Sequence, residues 1–224
     1  AVRYGPPESL GLFSDGKPKA AKVRYFAVIP RVVDGYLSHL AAFPNAEAKT
    51  KIDISVWHMP AGAPPDSEAG VCYGLLLNLA SVCHTEDKSV LWHFIGRYRP
   101  GATPENAPIL DKLVEYAINY YRDFVRPNKQ YRAANDMEKA ALEDLVETLK
   151  KLPSDSAGAD IQTEVYEVGK RHDFENLKDW FKALYEILLG QSQGPRMGSF
   201  IALYGIDETI ELIGRALKGE DLSS

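Results

Sequence analysis

The chain has 224 residues, of which 45% are hydrophobic and 25% charged, and this composition is typical of a folded globular protein. No apolar run approaches the roughly 18 residues that a membrane-spanning helix needs, and the first residues lack the apolar core of a signal peptide, so we expect a cytoplasmic protein without a membrane partner. The two cysteines and five histidines show no zinc-ligand spacing, which argues against a metal site.

The net charge of −5 is unfavourable for binding nucleic acid, but the charges are unevenly distributed. Residues 1–32 carry six basic side chains against two acidic ones, and residues 91–132 carry seven against four. Residues 136–167 instead carry nine acidic side chains against three basic ones. This asymmetry fits one face that approaches RNA and one solvated acidic face, although an ordinary charged surface would also produce it.

The N-terminal part of the chain gives mixed signals. Residues 1–18 are rich in Gly and Pro and predict a loop with a short helical turn. The apolar stripes of residues 19–42 predict a helix that Pro30 interrupts, because proline removes a backbone donor and clashes with the preceding turn. Residues 52–56 alternate between apolar and polar types, which predicts a short extended segment, and residues 59–70 predict a Pro/Gly-rich loop.

The middle of the chain predicts a bundle of four helices over residues 71–152, because apolar side chains recur at helical spacing. We expect Asp87 to cap the second helix and Thr103 to cap the third. Asn135 and Glu138 have the spacing of a capping box, which places the start of the fourth helix there.

The end of the third predicted helix interleaves aromatic and basic side chains. Such a mixture suits stacking on nucleotides and pairing with phosphates. The alternative is that the helix core already uses the aromatic residues. The side chains concerned are Tyr120, Tyr121, Arg122, Phe124, Arg126, Lys129 and Arg132.

Three more helices are predicted after the breaker-rich residues 153–160, which mark the best domain boundary. They span residues 161–172, 177–189 and 199–218, and the last has a break at Gly205. Ser199 is expected to cap it. The whole pattern predicts an all-α chain with two cores. One core would centre on Leu76, Leu113, Ala117 and Leu145, and the other on Phe181, Leu184, Leu188, Leu203 and Ile210.

A constrained loop separates the last two predicted helices. Gly190 is placed to end the first helix as a C′ glycine, and the polar residues 191–197 turn around Gly194 and Pro195. Two helices thus present a short, stiff loop. On periodicity alone the simpler interpretation is an ordinary connection between two antiparallel helices, with no further role.

The run GQSQGPRMGSFIALYGIDETIELIGRAL, which begins at Gly190, resembles the C-terminal end of class I lysyl-tRNA synthetases, and more loosely the helical anticodon-binding cage of glutamyl-tRNA synthetases. Further stretches resemble the same family in collinear order, so the likeness covers nearly the whole chain. They are PESLGLF (7–13), KPKAAKVRYFAVIPRVVDGYL (17–37), YGLLLNLASVC (73–83), NYYRDFVRP (119–127) and QTEVYEVGKRH (162–172).

The resemblance implies a mainly all-α fold in three parts. Residues 1–66 would be a segment that contacts the tRNA stem, residues 67–152 a multi-helix bundle, and residues 159–224 an α-helical cage that binds the anticodon. The HIGH-like and KMSKS-like sequences of the class I active site do not occur in the chain, and it does not begin with Met. We therefore expect a portion without the catalytic domain, inactive by itself and monomeric.

The resemblance also implies the residues that contact tRNA. The anticodon would be read by the loop residues Gln191, Gly194, Pro195, Arg196 and Met197. The tRNA backbone would be held by Lys17, Lys19, Lys22, Arg24 and Arg126. No catalytic residue is expected.

By the same resemblance, the partner is the lysine tRNA, and the parent enzyme attaches lysine to it with ATP and Mg²⁺. No cofactor is expected in this chain, whose part would be positioning. The alternative is a separate helical paralogue or interaction module that kept the fold without tRNA aminoacylation.

Overall fold

The computed structural model describes residues 3–7, 9, 28–42 and 71–223, without the side chains of residues 39–42. The described residues are helical with no β strand among them, so the all-α prediction is confirmed. The α helices are α1 (Ile29–Ala42), α2 (Tyr73–Val82), α3 (Lys88–Tyr98), α4 (Pro108–Tyr120), α5 (Asp136–Leu149), α6 (Gly158–Arg171), α7 (Leu177–Leu188), α8 (Met197–Tyr204) and α9 (Ile206–Leu217). After α4 come a π-helical turn, Tyr121–Val125, and a 3-10 turn, Arg126–Asn128.

Two predicted caps start their helices as expected. The Asp87 carboxylate accepts a 2.8 Å hydrogen bond from the backbone N–H of Ser89 at the start of α3. At the start of α5, the Asn135 side chain accepts from the Glu138 N–H at 2.8 Å, and the Glu138 carboxylate accepts from the Asn135 N–H at 2.9 Å. These reciprocal bonds satisfy backbone donors that have no partner inside the helix.

Two other predicted caps are wrong. Thr103 and Asn106 instead bond each other across a turn, with the Asn106 side chain accepting from the Thr103 N–H at 2.8 Å, and α4 begins later with Pro108 in its first turn. Ser199 lies inside α8, which already begins at Met197. The N–H of Gly198 donates at 2.7 Å to the side-chain oxygen of Gln162 on α6, so the partner for this helix start comes from another helix.

Helix α8 is the central packing element. It packs most extensively against α6 and also contacts α2, α3 and α9. Helix α7 is joined to α6 by a buried hydrogen bond of 3.0 Å from the Trp180 indole N–H to the Val165 carbonyl. On the opposite side of α8, the Tyr204 ring lies 5.4 Å from the Phe94 ring of α3, between centroids. The C-terminal helices are therefore packed directly onto the preceding bundle.

The buried apolar residues form one continuous cluster, so the prediction of two separate cores is wrong. Leu76 and Leu184, which were expected in different cores, are both fully buried in it. Phe181 and Ile210 are half-buried and pack against its outside. The cause is α8, which presents apolar side chains to both groups of helices. The division into residues 1–66, 67–152 and 159–224 stays a prediction.

Helix α1 is attached to the bundle by a carboxylate at a helix start. Asp34 accepts hydrogen bonds from the backbone N–H groups of Tyr73, at 2.5 Å, and Gly74, at 3.2 Å. The helix dipole favours this negative charge, while burial raises the pKa of Asp34 above its ordinary value. Pro30 lies in the first turn of α1, where its missing N–H costs little.

Several expectations fall outside the described residues. They are the helix before residue 28, the extended segment at residues 52–56 and the loop at residues 59–70. Within the described ranges, none of the helices has both the length and the apolar character needed to cross a bilayer.

The capping box of α5 gives a stability prediction. Glu138 is 6% exposed and also accepts two hydrogen bonds from the Arg132 guanidinium, at 2.7 and 2.8 Å. Glu138→Ala should lower the free energy of unfolding by about 2 to 3 kcal/mol, because it removes a cap and leaves Arg132 without this partner. Glu147→Ala, which removes an exposed pair with Lys150 on the same helix, should leave it almost unchanged. Urea denaturation measures both variants.

The same pairing predicts a dependence on pH. Hydrogen bonds from Arg132 hold the pKa of Glu138 below its ordinary value. This stabilisation is therefore present above the unfolded-state pKa, about 4.3, and is lost as the pH falls through the lower folded-state pKa. The difference in stability between the wild type and Glu138→Gln should shrink on acidification below about pH 4. A difference that stays constant down to pH 2 would contradict the ion-pair assignment.

Candidate nucleic-acid interface

The loop between α7 and α8 begins at Gly190, whose φ of +65° is a left-handed conformation that glycine adopts readily. A Cβ at this position would lie 2.9 Å from Cε2 of Tyr131. The carbonyl of Gly190 accepts a 2.8 Å hydrogen bond from the N–H of Gln130. Gly190 therefore ends α7 as predicted and joins the loop to the segment that follows the 3-10 turn.

Tyr185 of α7 holds the rest of the loop from inside. Its carbonyl accepts from the N–H of Gln191 at 3.2 Å, and its hydroxyl donates to the carbonyl of Pro195. The ring also lies against Gly194, where a Cβ would be 2.6 Å from Cε1 of Tyr185. Burial raises the pKa of the Tyr185 phenol, so it remains a donor at all physiological pH values. One side chain thus fixes both ends of the turn.

The predicted anticodon-reading residues occupy different environments in this loop. Gly194 and Arg196 are exposed, and Pro195 is half-buried. Gln191 is half-buried, and its side-chain amide lies 3.3 Å from the Ser81 hydroxyl oxygen, to which it donates. Met197 is 1% exposed, so its side chain is part of the core instead of the loop surface. The other four lie where a ligand of the loop would reach them.

Arg196 is the available cation of the loop. It precedes the first residue of α8, and its guanidinium makes no hydrogen bond or ion pair within the described ranges of the chain. A guanidinium in this state can stack on a base or form two hydrogen bonds to a phosphate or a base edge.

Sequence reasoning missed Asn78, which lies beneath the loop. The residue is 3% exposed, and its side-chain nitrogen has no hydrogen-bond partner among the residues that the structure describes. A Cβ on Gly194 would lie 2.8 Å from that nitrogen. The sequence shows only that one amide side chain lies among the apolar residues of α2. A buried amide is expected to be hydrogen-bonded, and the sequence does not show which element covers it.

The aromatic and basic segment after α4 lies next to the loop, but its four cations are not equivalent. Arg126 is the most exposed, at 65% of its side chain, and its ion pair with Glu86 is 3.1 Å long. Arg122 bonds Asp123 at 3.0 Å and lies 3.7 Å from the same Glu86 carboxylate. Arg126 therefore keeps its predicted availability for a phosphate, although Glu86 competes for it.

Lys129 and Arg132 are both bonded to other groups of the protein, Lys129 in a half-buried position and Arg132 at the surface. The Lys129 ammonium donates at 2.8 Å to the Ser81 carbonyl and lies 5.0 Å from the centre of the Tyr131 ring. Burial lowers its pKa to about 8. Arg132 bonds Glu138 on one side and Glu186 on the other, at 2.6 Å. The interleaved pattern therefore combines one largely exposed cation, Arg126, with three that bond mainly to other groups of the protein.

A cleft of about 510 Å³ separates this segment from the loop, and we call it the amide cleft. Glu186 of α7 and residues 190–193 of the loop line it together with seven residues of the aromatic segment, which are Tyr120, Phe124, Val125, Asn128, Gln130, Tyr131 and Arg132. Ligand sites commonly enclose about 300 to 1,000 Å³. The fold thus brings together the two segments in which the sequence placed RNA contacts.

The four basic residues predicted near the N-terminus cannot be compared with this arrangement. Lys17, Lys19, Lys22 and Arg24 lie outside the described residues, and their role stays a prediction. Arg31, on α1, is exposed.

Together, these features define an all-α protein in which a constrained loop and an adjoining aromatic segment share one cleft. A search against protein-family models finds no match. The chain is 49% identical over 222 residues to the lysine-tRNA ligase of Roseobacter denitrificans. The aligned region covers 99% of the chain and 42% of that enzyme. It is 48% identical over 218 residues to that of Rickettsia bellii, and 44% identical over 214 residues to that of Rickettsia felis.

The resemblance to lysyl-tRNA synthetases is thereby confirmed. Over nearly its whole length this chain is homologous to a part of the lysine-tRNA ligases, in agreement with the expected C-terminal portion of the class I enzyme. It spans about 42% of the length of the first two of these relatives.

The geometry at Gly190 gives a prediction about how the loop is built. Gly190→Ala should lower the free energy of unfolding by about 1 to 3 kcal/mol, because alanine is strained at positive φ and its methyl group would meet the Tyr131 ring. Gly214→Ala is the matched control, since this glycine lies within α9 with open space around it. It should be neutral or stabilise by up to about 1 kcal/mol. Thermal denaturation compares the two, and equal effects would contradict the assignment.

Proposed function

We propose that this chain is the tRNA-binding portion of a lysyl-tRNA synthetase and that the loop between α7 and α8 approaches the anticodon of the lysine tRNA. The observation that carries the proposal is a loop held in one shape next to an aromatic segment, in a chain homologous to lysine-tRNA ligases over 99% of its length.

The loop is suited to reading bases because its shape is set before any ligand arrives. Gly190, Tyr185 and Pro195 fix its backbone by the contacts described above. A loop that is already ordered loses little conformational entropy on binding, so more of the contact energy appears as affinity. Arg196 then supplies a cation at the surface of the turn, and the half-buried Gln191, whose amide N–H donates to Ser81, keeps its side-chain oxygen as an acceptor.

The second part of the proposal concerns binding of the sugar-phosphate backbone of the tRNA. Arg126 lies on the segment beside the loop and is the best-placed described cation for a phosphate of the bound strand. Lys17, Lys19, Lys22 and Arg24 would extend the same contact toward the tRNA stem. Phosphate contacts of this kind supply affinity without sequence information.

The chemical step belongs elsewhere in this proposal. Activation of lysine with ATP and Mg²⁺ is assigned to the catalytic part of the parent enzyme, because the chain contains neither a HIGH-like nor a KMSKS-like sequence. This chain, acting as a monomer in the cytoplasm, would anchor the anticodon so that the acceptor end reaches a distant active site. Binding energy remote from the reacting atoms then serves orientation.

The direct test compares the lysine tRNA with an anticodon-swapped transcript at fixed salt. The wild-type chain should bind the lysine tRNA more tightly. Arg196→Ala should remove about 1 to 3 kcal/mol of that preference, the value of one stacking or base-edge contact. Lys151→Ala, which removes an exposed cation at the end of α5, is the control and should preserve the preference.

Both variants should have nearly the same melting temperature as the wild type, because exposed substitutions rarely change the free energy of unfolding by more than about 0.5 kcal/mol. Equal affinity of the wild type for the two transcripts would remove the anticodon assignment. A helical interaction module would then be the better description of the chain.

The ion pair between Arg126 and Glu86 gives a second prediction, about affinity that does not depend on sequence. Arg126→Ala should weaken binding to every tRNA alike and reduce the salt dependence by about one phosphate contact. Glu86→Gln should do the opposite, because it releases Arg122 and Arg126 from a competing carboxylate. Filter binding over a series of salt concentrations measures both slopes. Unchanged slopes in both variants would exclude this segment from the RNA contact.

A further inference from the structure

The amide cleft has an aromatic inner part whose geometry is fixed by packing. The Phe124 ring lies 5.1 Å from the Tyr120 ring and 5.0 Å from the Tyr4 ring, between centroids. Tyr131 is half-buried; its ring lies against the backbone of Gly190, and its centre is 5.0 Å from the ammonium of Lys129. These contacts place flat apolar surface along the cleft without requiring a ligand to order it, and flat apolar surface is what a nucleobase stacks on.

The rim of the cleft carries neutral amide and hydroxyl groups. Gln130, Ser192 and Gln193 are exposed, and within the described part of the chain their side chains make no hydrogen bond. Asn128 donates its amide N–H to the Phe124 carbonyl at 2.8 Å, which leaves its oxygen as an acceptor. An amide offers a donor and an acceptor side by side, and this pair matches the edge of a base.

The charges of the cleft are already balanced. Arg132 and Glu186, which both line it, are bonded to each other at 2.6 Å, and Arg132 is bonded to Glu138 as well. A phosphate or carboxylate placed there would therefore gain no unpaired cation, and a ligand cation would gain no unpaired acid. The chemistry of the cleft favours a neutral, flat, polar-edged group.

We infer that the amide cleft receives one unpaired nucleobase of the bound RNA, stacked on its aromatic wall and read at its edge by Gln130 and Gln193. The inference rests on the proposed function and adds a second place of base recognition to it, separate from Arg196. The base enters from a strand whose phosphates follow the exposed side of Arg126.

A double-mutant cycle tests this contact. Abasic nucleotides are introduced one at a time along the anticodon loop of the lysine tRNA, and each transcript is titrated with the wild-type chain and with Gln193→Ala. Each change alone should weaken binding about 5- to 100-fold at one position. At that position the two changes together should cost no more than either alone, whereas at the other positions the effects should multiply.

Controls separate this contact from folding and from general binding. Ser154→Ala alters an exposed neutral residue of a different cleft and should show no coupling at any position. Gln130→Ala should couple at the same position as Gln193→Ala. In the wild-type complex, 2-aminopurine at that position should lose fluorescence on binding, because stacking on an aromatic ring quenches it.

Three results would overturn the inference. In the first, the effects multiply at every position while the wild type still prefers the lysine tRNA to the swapped transcript. This result would exclude the cleft as a base-binding site and would leave the anticodon proposal unaffected. Loss of that preference would remove both. Saturable binding of uridine or adenosine monophosphate that Gln193→Ala weakens, without coupling to any RNA position, would assign the cleft to a free nucleotide instead.

Discussion

The candidate site depends on one buried serine at the end of α2. Ser81 is fully buried; its carbonyl accepts from the Lys129 ammonium, and its hydroxyl accepts from the Gln191 amide. The aromatic segment and the loop are therefore attached to the same helical turn. The carbonyl end of a helix carries partial negative charge, which compensates in part for the lost hydration of the ammonium. The lowered pKa of Lys129 shows that this compensation is incomplete.

The continuous core explains why the loop cannot be considered as part of a separate C-terminal unit. Helix α8 contacts α6 as well as α2 and α3, so it is positioned by both groups of helices. Asn78 of α2 lies beneath Gly194, and Tyr185 of α7 holds Pro195. A change in the bundle would therefore be transmitted to the loop through direct contacts, because close-packed interiors transmit displacement.

Local chemistry could be predicted from the sequence, whereas contacts between distant segments could not. Asp87 and the pair of Asn135 and Glu138 act through neighbours two or three residues away, so spacing revealed them. Ser199 failed as a cap because α8 uses Gln162, 36 residues earlier in the chain. The loop was identified from its glycines and proline and from family resemblance. The amide cleft and the inward direction of Lys129 depend on tertiary packing, which periodicity does not describe.

The π turn at Tyr121–Val125 makes the site sensitive to how the backbone is wound as well as to its side chains. A π turn contains one residue more than the α turn it replaces. Each residue advances an α helix by about 100°, so winding the same residues as a regular α helix would rotate everything after the turn by about that angle. Arg126 and Lys129 would then leave Glu86 and Ser81, although every side chain was kept. A change of helical winding in this turn would therefore change the direction of every residue that follows it in the segment.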